Sequence, residues 1–159
     1  MSTTTTVDSP VDVRGPRFVA WVTTGVLILV LLLAAFAPAA AGVLIAVQTL
    51  VFALGAWLGP RRHPYGLIYA QFVAPRVGPV TETEPTAPLR FAQLLGFVFA
   101  AVSLLGFLFG ATAVGALFAG FALFAAFLNA AFGICLGCKL YPLVTRLRTT
   151  PPSESPASN

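Results

Sequence analysis

Two cysteines three positions apart, Cys135 and Cys138, close the last apolar run of the chain in FGICLGCKLYP, with Lys139 directly behind them. The chain has 2 cysteines in all, so any sulfur chemistry rests on this pair. A dithiol of this kind can exchange with a disulfide or carry a sulfane sulfur, in each case by attack of a thiolate on sulfur. Neither reaction needs another side chain beyond a cation that favours the anion, and Lys139 is the candidate for that role. If the run stays helical through Cys138, the two thiols share a face. Joining them then distorts the last turn, which Gly133 and Gly137 make easier; on a cytoplasmic face thiols are kept reduced, so a cycling or sulfur-carrying pair is expected and not a structural disulfide. The end of a helix disfavours a thiolate, so Lys139 would have to offset the helix dipole. Cys138, nearer the surface, would meet a soluble partner first, and Cys135 would act second. The competing reading is two small apolar residues packed like any others.

Few other side chains offer chemistry. Gln48 and Asn129 are the strongest polar groups inside apolar runs. They lie at similar depth, suited to an interhelical amide clamp or to lining a substrate or quinone pocket. His63, in GPRRHPYG, joins Arg61 and Arg62 in a basic patch expected to face anionic headgroups or a partner. One histidine and 2 cysteines are too few for a closed tetrahedral zinc site, so no metal and no cofactor is expected. No acidic or basic residue lies well inside an apolar run, which argues against a proton-coupled pump.

The elements that must position these residues are membrane spans. Of 159 residues 58% are hydrophobic and only 9% charged, with mean hydropathy +0.91. A soluble domain carries about 25% charged residues, so the lipid bilayer is the first partner. Four runs approach the roughly 20 residues that cross the hydrocarbon: about 18–36, 39–58, 91–109 and 113–138. Backbone groups unsatisfied by water force each into a helix. The fold class expected is all-α, four transmembrane helices as two hairpins. The first run is too long for a signal peptide's apolar segment, and Pro38 reads as a hairpin turn.

All 9 basic residues fall at one end of such a bundle, before the first span, between the second and third, or after the fourth. The positive-inside rule places that end in the cytoplasm, with both termini. The net charge of +4 is thereby a topology signal, and nucleic acid is not expected as a partner. The central loop, 59–90, is proline-rich, but YGLIYAQFVA puts Tyr65, Tyr69 and Phe72 on one short stretch. It reads as a short interfacial helix touching lipid or a partner. Residues 1–13 and 147–159 are read as disordered tails around a membrane domain at 14–146.

The halves resemble each other: PRFVAWV at Pro16–Val22 is echoed by LRFAQLL at Leu89–Leu95, and Gly59 and Tyr65 run in step with Gly133 and Tyr141. Small residues recur at helical spacing, including Gly96, Ala100 and Ser103 in the third span and Gly115, Ala119 and Ala122 in the fourth. They allow the close backbone approach that membrane helices pack by.

RGPRF, HPYG, PLRFAQLLGFVFA and FLNAAFGICLGCKLY resemble an actinobacterial integral membrane family catalogued as domain of unknown function 4395, over about Val11–Arg146. The resemblance implies this fold, this cysteine placement and a sulfur or thiol context, with a soluble thioredoxin-like protein or rhodanese-type sulfurtransferase as partner. It implies no reaction. The expected function is thiol–disulfide or persulfide transfer at the bacterial inner membrane through Cys135 and Cys138. The alternatives are a non-catalytic scaffold that recruits a soluble partner and a small-molecule or sulfur-compound permease. Whether the chain works as a homo-oligomer stays open.

Overall fold

The computed structural model describes residues 10–148; residues 1–9 and 149–159, most of the expected tails, lie outside the described residues. Among the described residues, four helices are long and apolar enough to cross a membrane. They are α1 (Arg14–Phe36), α2 (Pro38–Leu58), α4 (Thr86–Leu108) and α5 (Thr112–Phe132). At 1.5 Å per residue, even a 21-residue helix reaches about 31 Å, the thickness of the hydrocarbon. The class is all-α, two hairpins side by side, with α1 packed on α2 and α5, and α4 on α2 and α5.

Each hairpin turns where its sequence permits. Ala37, at φ −142° and ψ 66° outside the helical region, joins α1 to α2, and Pro38 occupies the first helical turn, where its missing N–H costs no bond. Gly110, at φ 75°, makes the second turn. The core interleaves branched and small side chains: Leu27, Val30 and Ile45 are buried with Ala41, Ala100 and Ala119. At one tight crossing a Cβ on Gly106 would stand 2.5 Å from the backbone N of Gly115, and the Ser103 hydroxyl donates to the Gly115 carbonyl at 2.7 Å. Thr24 and Thr49 satisfy their hydroxyls on carbonyls one turn back, those of Ala20 and Ile45. Large apolar side chains such as Leu32, Leu50, Phe109 and Phe124 cover the outside, as a lipid-facing surface requires.

The charged end is organised by hydrogen bonds rather than by exposure alone. α4 begins at Thr86, ahead of the expected Phe91, with Pro88 tolerated in its first turn. Arg90 consequently reaches back to the C-terminal carbonyls of α2, donating to Ala56 and Trp57 at 3.0 Å each. Those carbonyls have no partner inside their own helix, and a cation suits that end of it. Val11–Asp12, part of the range read as a disordered tail, forms a two-residue strand (β1) antiparallel to β2 (Thr83–Glu84). The reason lies in Asp12. Its carboxylate accepts from the backbone N–H and the side chain of Arg14 and from the Tyr69 hydroxyl at 3.1 Å. Arg14 also donates to the carbonyls of Val77 and Pro79, so loop, strand and helix start are tied in one knot. Partial burial pushes the Asp12 carboxyl up, but the donors from Arg14 and Tyr69 outweigh it and hold it below its ordinary value.

The central loop holds a short helix, α3 (Pro64–Ile68), continued by a π-helical turn (Tyr69–Val73) and a 3-10 turn (Ala74–Arg76). The last element, α6 (Leu136–Arg148), is separate from α5 and packs chiefly on α4.

Candidate functional site

Gly133 decides where the cysteines go. Its φ of 66° is a left-handed conformation that glycine adopts without strain. It ends α5 at Phe132, and the N–H groups of Gly133 and Ile134 turn back to the carbonyls of Asn129 and Leu128. The fourth span therefore stops short of the expected Cys138. The pair lies not at the C-terminal end of that helix but at the N-terminal end of α6, which starts at Leu136. The two sulfurs are joined as a disulfide, with Cα atoms 5.2 Å apart. The Cys138 N–H donates to the Cys135 sulfur at 3.3 Å, and the Lys139 N–H to the Cys135 carbonyl at 3.0 Å. Cys135 thus caps α6. The electrostatics invert: the free N–H groups and positive dipole end of a helix favour a thiolate. Lys139 is exposed, and its side chain has no hydrogen bond or ion pair among the described residues.

α6 is held in place by the glycine between the cysteines. Gly137 is buried, and a Cβ there would stand 2.5 Å from the Ala92 Cα and 2.6 Å from its Cβ. The Tyr141 ring rests against Phe91, centroids 6.0 Å apart. No sequence expectation separated α6 from α5. The available signal was Gly133 followed by Leu136, Leu140, Leu143 and Leu147, a helical spacing with its own register.

The second element of the site is His63. It was expected at the surface with Arg61 and Arg62; those two are exposed, but His63 is only 1% accessible. Gly59, at φ 82°, ends α2 and folds the chain back through Pro60–Arg62. This brings the imidazole against Gly55, where a Cβ would stand 2.5 Å from His63 Cδ2 and 3.0 Å from the Gln93 side chain. Burial is the larger influence on this ring; the smaller, which favours protonation, is the hydrogen-bonding approach of the Gln93 side chain, too loose in geometry to count as a formed bond. The pKa falls to about 4, so His63 is neutral at physiological pH. Tyr69, another expected surface contact, is also buried, drawn in by Asp12. Tyr65 donates to the Gln48 Oε1 at 2.9 Å; Phe72 stays exposed.

Four buried polar atoms have no hydrogen-bond partner among the described residues: both ring nitrogens of His63, Gln48 Nε2 and Gln93 Oε1. An unsatisfied buried group costs about 1–3 kcal/mol, so this grouping is a strong departure from ordinary packing. Gln48 takes its bond from Tyr65 and makes none with Asn129, so the expected amide clamp is not formed. Asn129 instead lines a cavity of about 380 Å³ inside the bundle, together with His63, Gln93 and Cys135. The cavity extends from Asp12, Arg61 and Tyr69 at the charged end to Thr23, Phe52 and Ala122 within the spans. Five of the expected site residues, Arg61, His63, Tyr69, Asn129 and Cys135, are thereby brought to one wall system from two sequence stretches; Gln48, Arg62, Tyr65, Phe72, Cys138 and Lys139 are not part of it. Gln93 was missed from sequence because a glutamine near the start of a span looks like an ordinary interfacial residue.

Compared with known proteins, residues 11–146 match the family model described as a domain of unknown function, DUF4395. No curated protein and no solved structure matches.

Proposed function

The chain belongs to the DUF4395 family, and from its site we propose that it is a membrane thiol–disulfide oxidoreductase whose working group is the Cys135–Cys138 pair. The observation that carries this reading is the disulfide at the start of α6, with Cys135 as the capping residue. A thiolate from a soluble dithiol partner, thioredoxin-like in chemistry, attacks the Cys138 sulfur. The S–S bond breaks, and its electron pair leaves on Cys135, where the helix N-terminus stabilises the anion. A stabilised leaving thiolate departs faster, which fixes Cys138 as the sulfur attacked. The partner's second thiol then attacks the mixed disulfide and releases Cys138, leaving the pair reduced and the partner oxidised. Pairing of the two sulfurs favours this cycle over carriage of a persulfide on one of them.

The arginines gathered at this end of the bundle support a cytoplasmic orientation by the positive-inside rule, with both termini inside and the partner reaching the pair from the cytosol. The test is trapping. The unaltered chain with its disulfide formed, mixed with a reduced thioredoxin lacking its resolving cysteine, should accumulate a mixed disulfide, and peptide mapping should place the link at Cys138. Links at Cys135 should be far rarer. Equal linkage at both sulfurs, or no linkage at either, overturns the proposal.

A further inference from the structure

We propose that the cavity beside Cys135 binds a quinone headgroup, the electron acceptor that returns the reduced pair to the disulfide; this rests on the oxidoreductase reading above. The ligand is defined by what surrounds it. Most of the wall is apolar, including Val19, Phe52, Leu95, Phe99 and Ala126, and the volume of about 380 Å³ falls in the range of small-molecule pockets. Into this wall are set His63, 99% buried and unpartnered at both ring nitrogens, the unpartnered Gln93 Oε1, and Asn129. A neutral imidazole donates from one nitrogen and accepts at the other. His63 and the Asn129 amide therefore donate to quinone carbonyls. His63 and Gln93 Oε1 accept from the hydroxyls of the hydroquinone. Few ligands need both patterns, and a flat apolar ring that interconverts between two carbonyls and two hydroxyls is one. The deep end, near Thr23 and Ala122, lies within the spans, where such molecules dissolve.

Cys135 lines this cavity and Cys138 does not, which gives each sulfur one partner. The Cys135 thiolate adds to a ring carbon of the quinone. The Cys138 thiolate then attacks the Cys135 sulfur, the C–S bond breaks, and its electron pair departs with the ring. Two thiols lose two electrons and two protons, and the quinone takes up both to become the hydroquinone. The protein is left with the Cys135–Cys138 disulfide.

The experiment uses the full chain in nanodiscs of defined phospholipid, reduced, freed of reductant and mixed anaerobically with a short-chain ubiquinone. Hydroquinone is read by absorbance and the pair by mass-tagged alkylation. The expected result is one hydroquinone per disulfide regained. The rate should fall about tenfold in His63→Asn and in Ala126→Phe, which fills the cavity without touching the sulfurs. Native mass spectrometry should show one quinone bound to the unaltered protein and none to Ala126→Phe. Retention of phospholipid only, or quinone reduction equally fast in both variants, overturns the quinone proposal. If the pair still exchanges with thioredoxin while quinone is inert, the quinone proposal alone fails. If it exchanges with neither, the oxidoreductase reading fails with it.

Discussion

The two hairpins leave the membrane in the same way and deliver different things. Both second helices run for 21 residues and end on a glycine with positive φ, Gly59 or Gly133. Four positions on, each exit presses a residue into the bundle. In the first it is His63, seated between Gly55 and Gln93; in the second it is Gly137, seated on Ala92. Both seats adjoin the same turn of α4. Yet the first exit places a neutral imidazole in the cavity, whereas the second places a disulfide at the head of a 13-residue helix. A near-symmetric frame has thus been used asymmetrically: one exit supplies a hydrogen-bonding group, the other a redox-capable one.

Substitutions on the sulfur exit should have the largest effect. Cys135→Ser or Cys138→Ser should abolish turnover with a dithiol partner, while the folded bundle, measured by circular dichroism and gel filtration, stays intact. Gly137→Leu forces side-chain atoms into the α4 backbone. It should undock α6 and cost upward of about 3 kcal/mol, seen as a lowered melting temperature and loss of exchange.

On the histidine exit the expected effects are smaller. Gly55→Ala crowds His63 and Gln93 and should cost about 1–3 kcal/mol, with turnover reduced rather than lost. The buried imidazole also predicts a pH dependence. Its pKa is about 4 in the folded chain against an ordinary 6.5, so between those values the unfolded chain binds a proton that the folded one refuses. This contribution is full above pH 6.5 and is lost as pH falls toward 4. It totals roughly 3 kcal/mol. Thermal unfolding from pH 7.5 to 4.5 should show the slope, and His63→Asn should flatten it relative to the parent. The smallest change is expected at Lys139. Its side chain is exposed and the helix N-terminus already favours the thiolate, so Lys139→Ala should slow exchange by no more than about twofold. A larger loss would return to Lys139 the role that its position behind Cys138 first suggested.

Much of this frame is legible in the sequence because its causes are local. Long uncharged runs must be helices in lipid, Pro38 and Gly110 mark the turns, and the arginines mark one end. The site is less legible because its causes are contacts across the fold. Nothing around His63 announces burial; that depends on Gly55, which leaves room for the ring, and on a backbone reversal at Gly59. Asp12 looks like part of a polar tail until Arg14 and Tyr69 close on it. Hydropathy merges α5 with α6, since Gly133, Ile134 and Cys135 are themselves apolar. Only the left-handed turn at Gly133 separates a cysteine pair that ends one helix from a pair that begins another.

That separation is the central claim, and thiol reactivity reads it directly. In the reduced full-length protein in nanodiscs, the second-order rates of alkylation by iodoacetamide at Cys135 and Cys138 can be measured separately by mass spectrometry at neutral pH. A capping thiolate at the start of α6 predicts that Cys135 reacts about tenfold faster than Cys138. Equal rates, or a faster Cys138, would contradict the account.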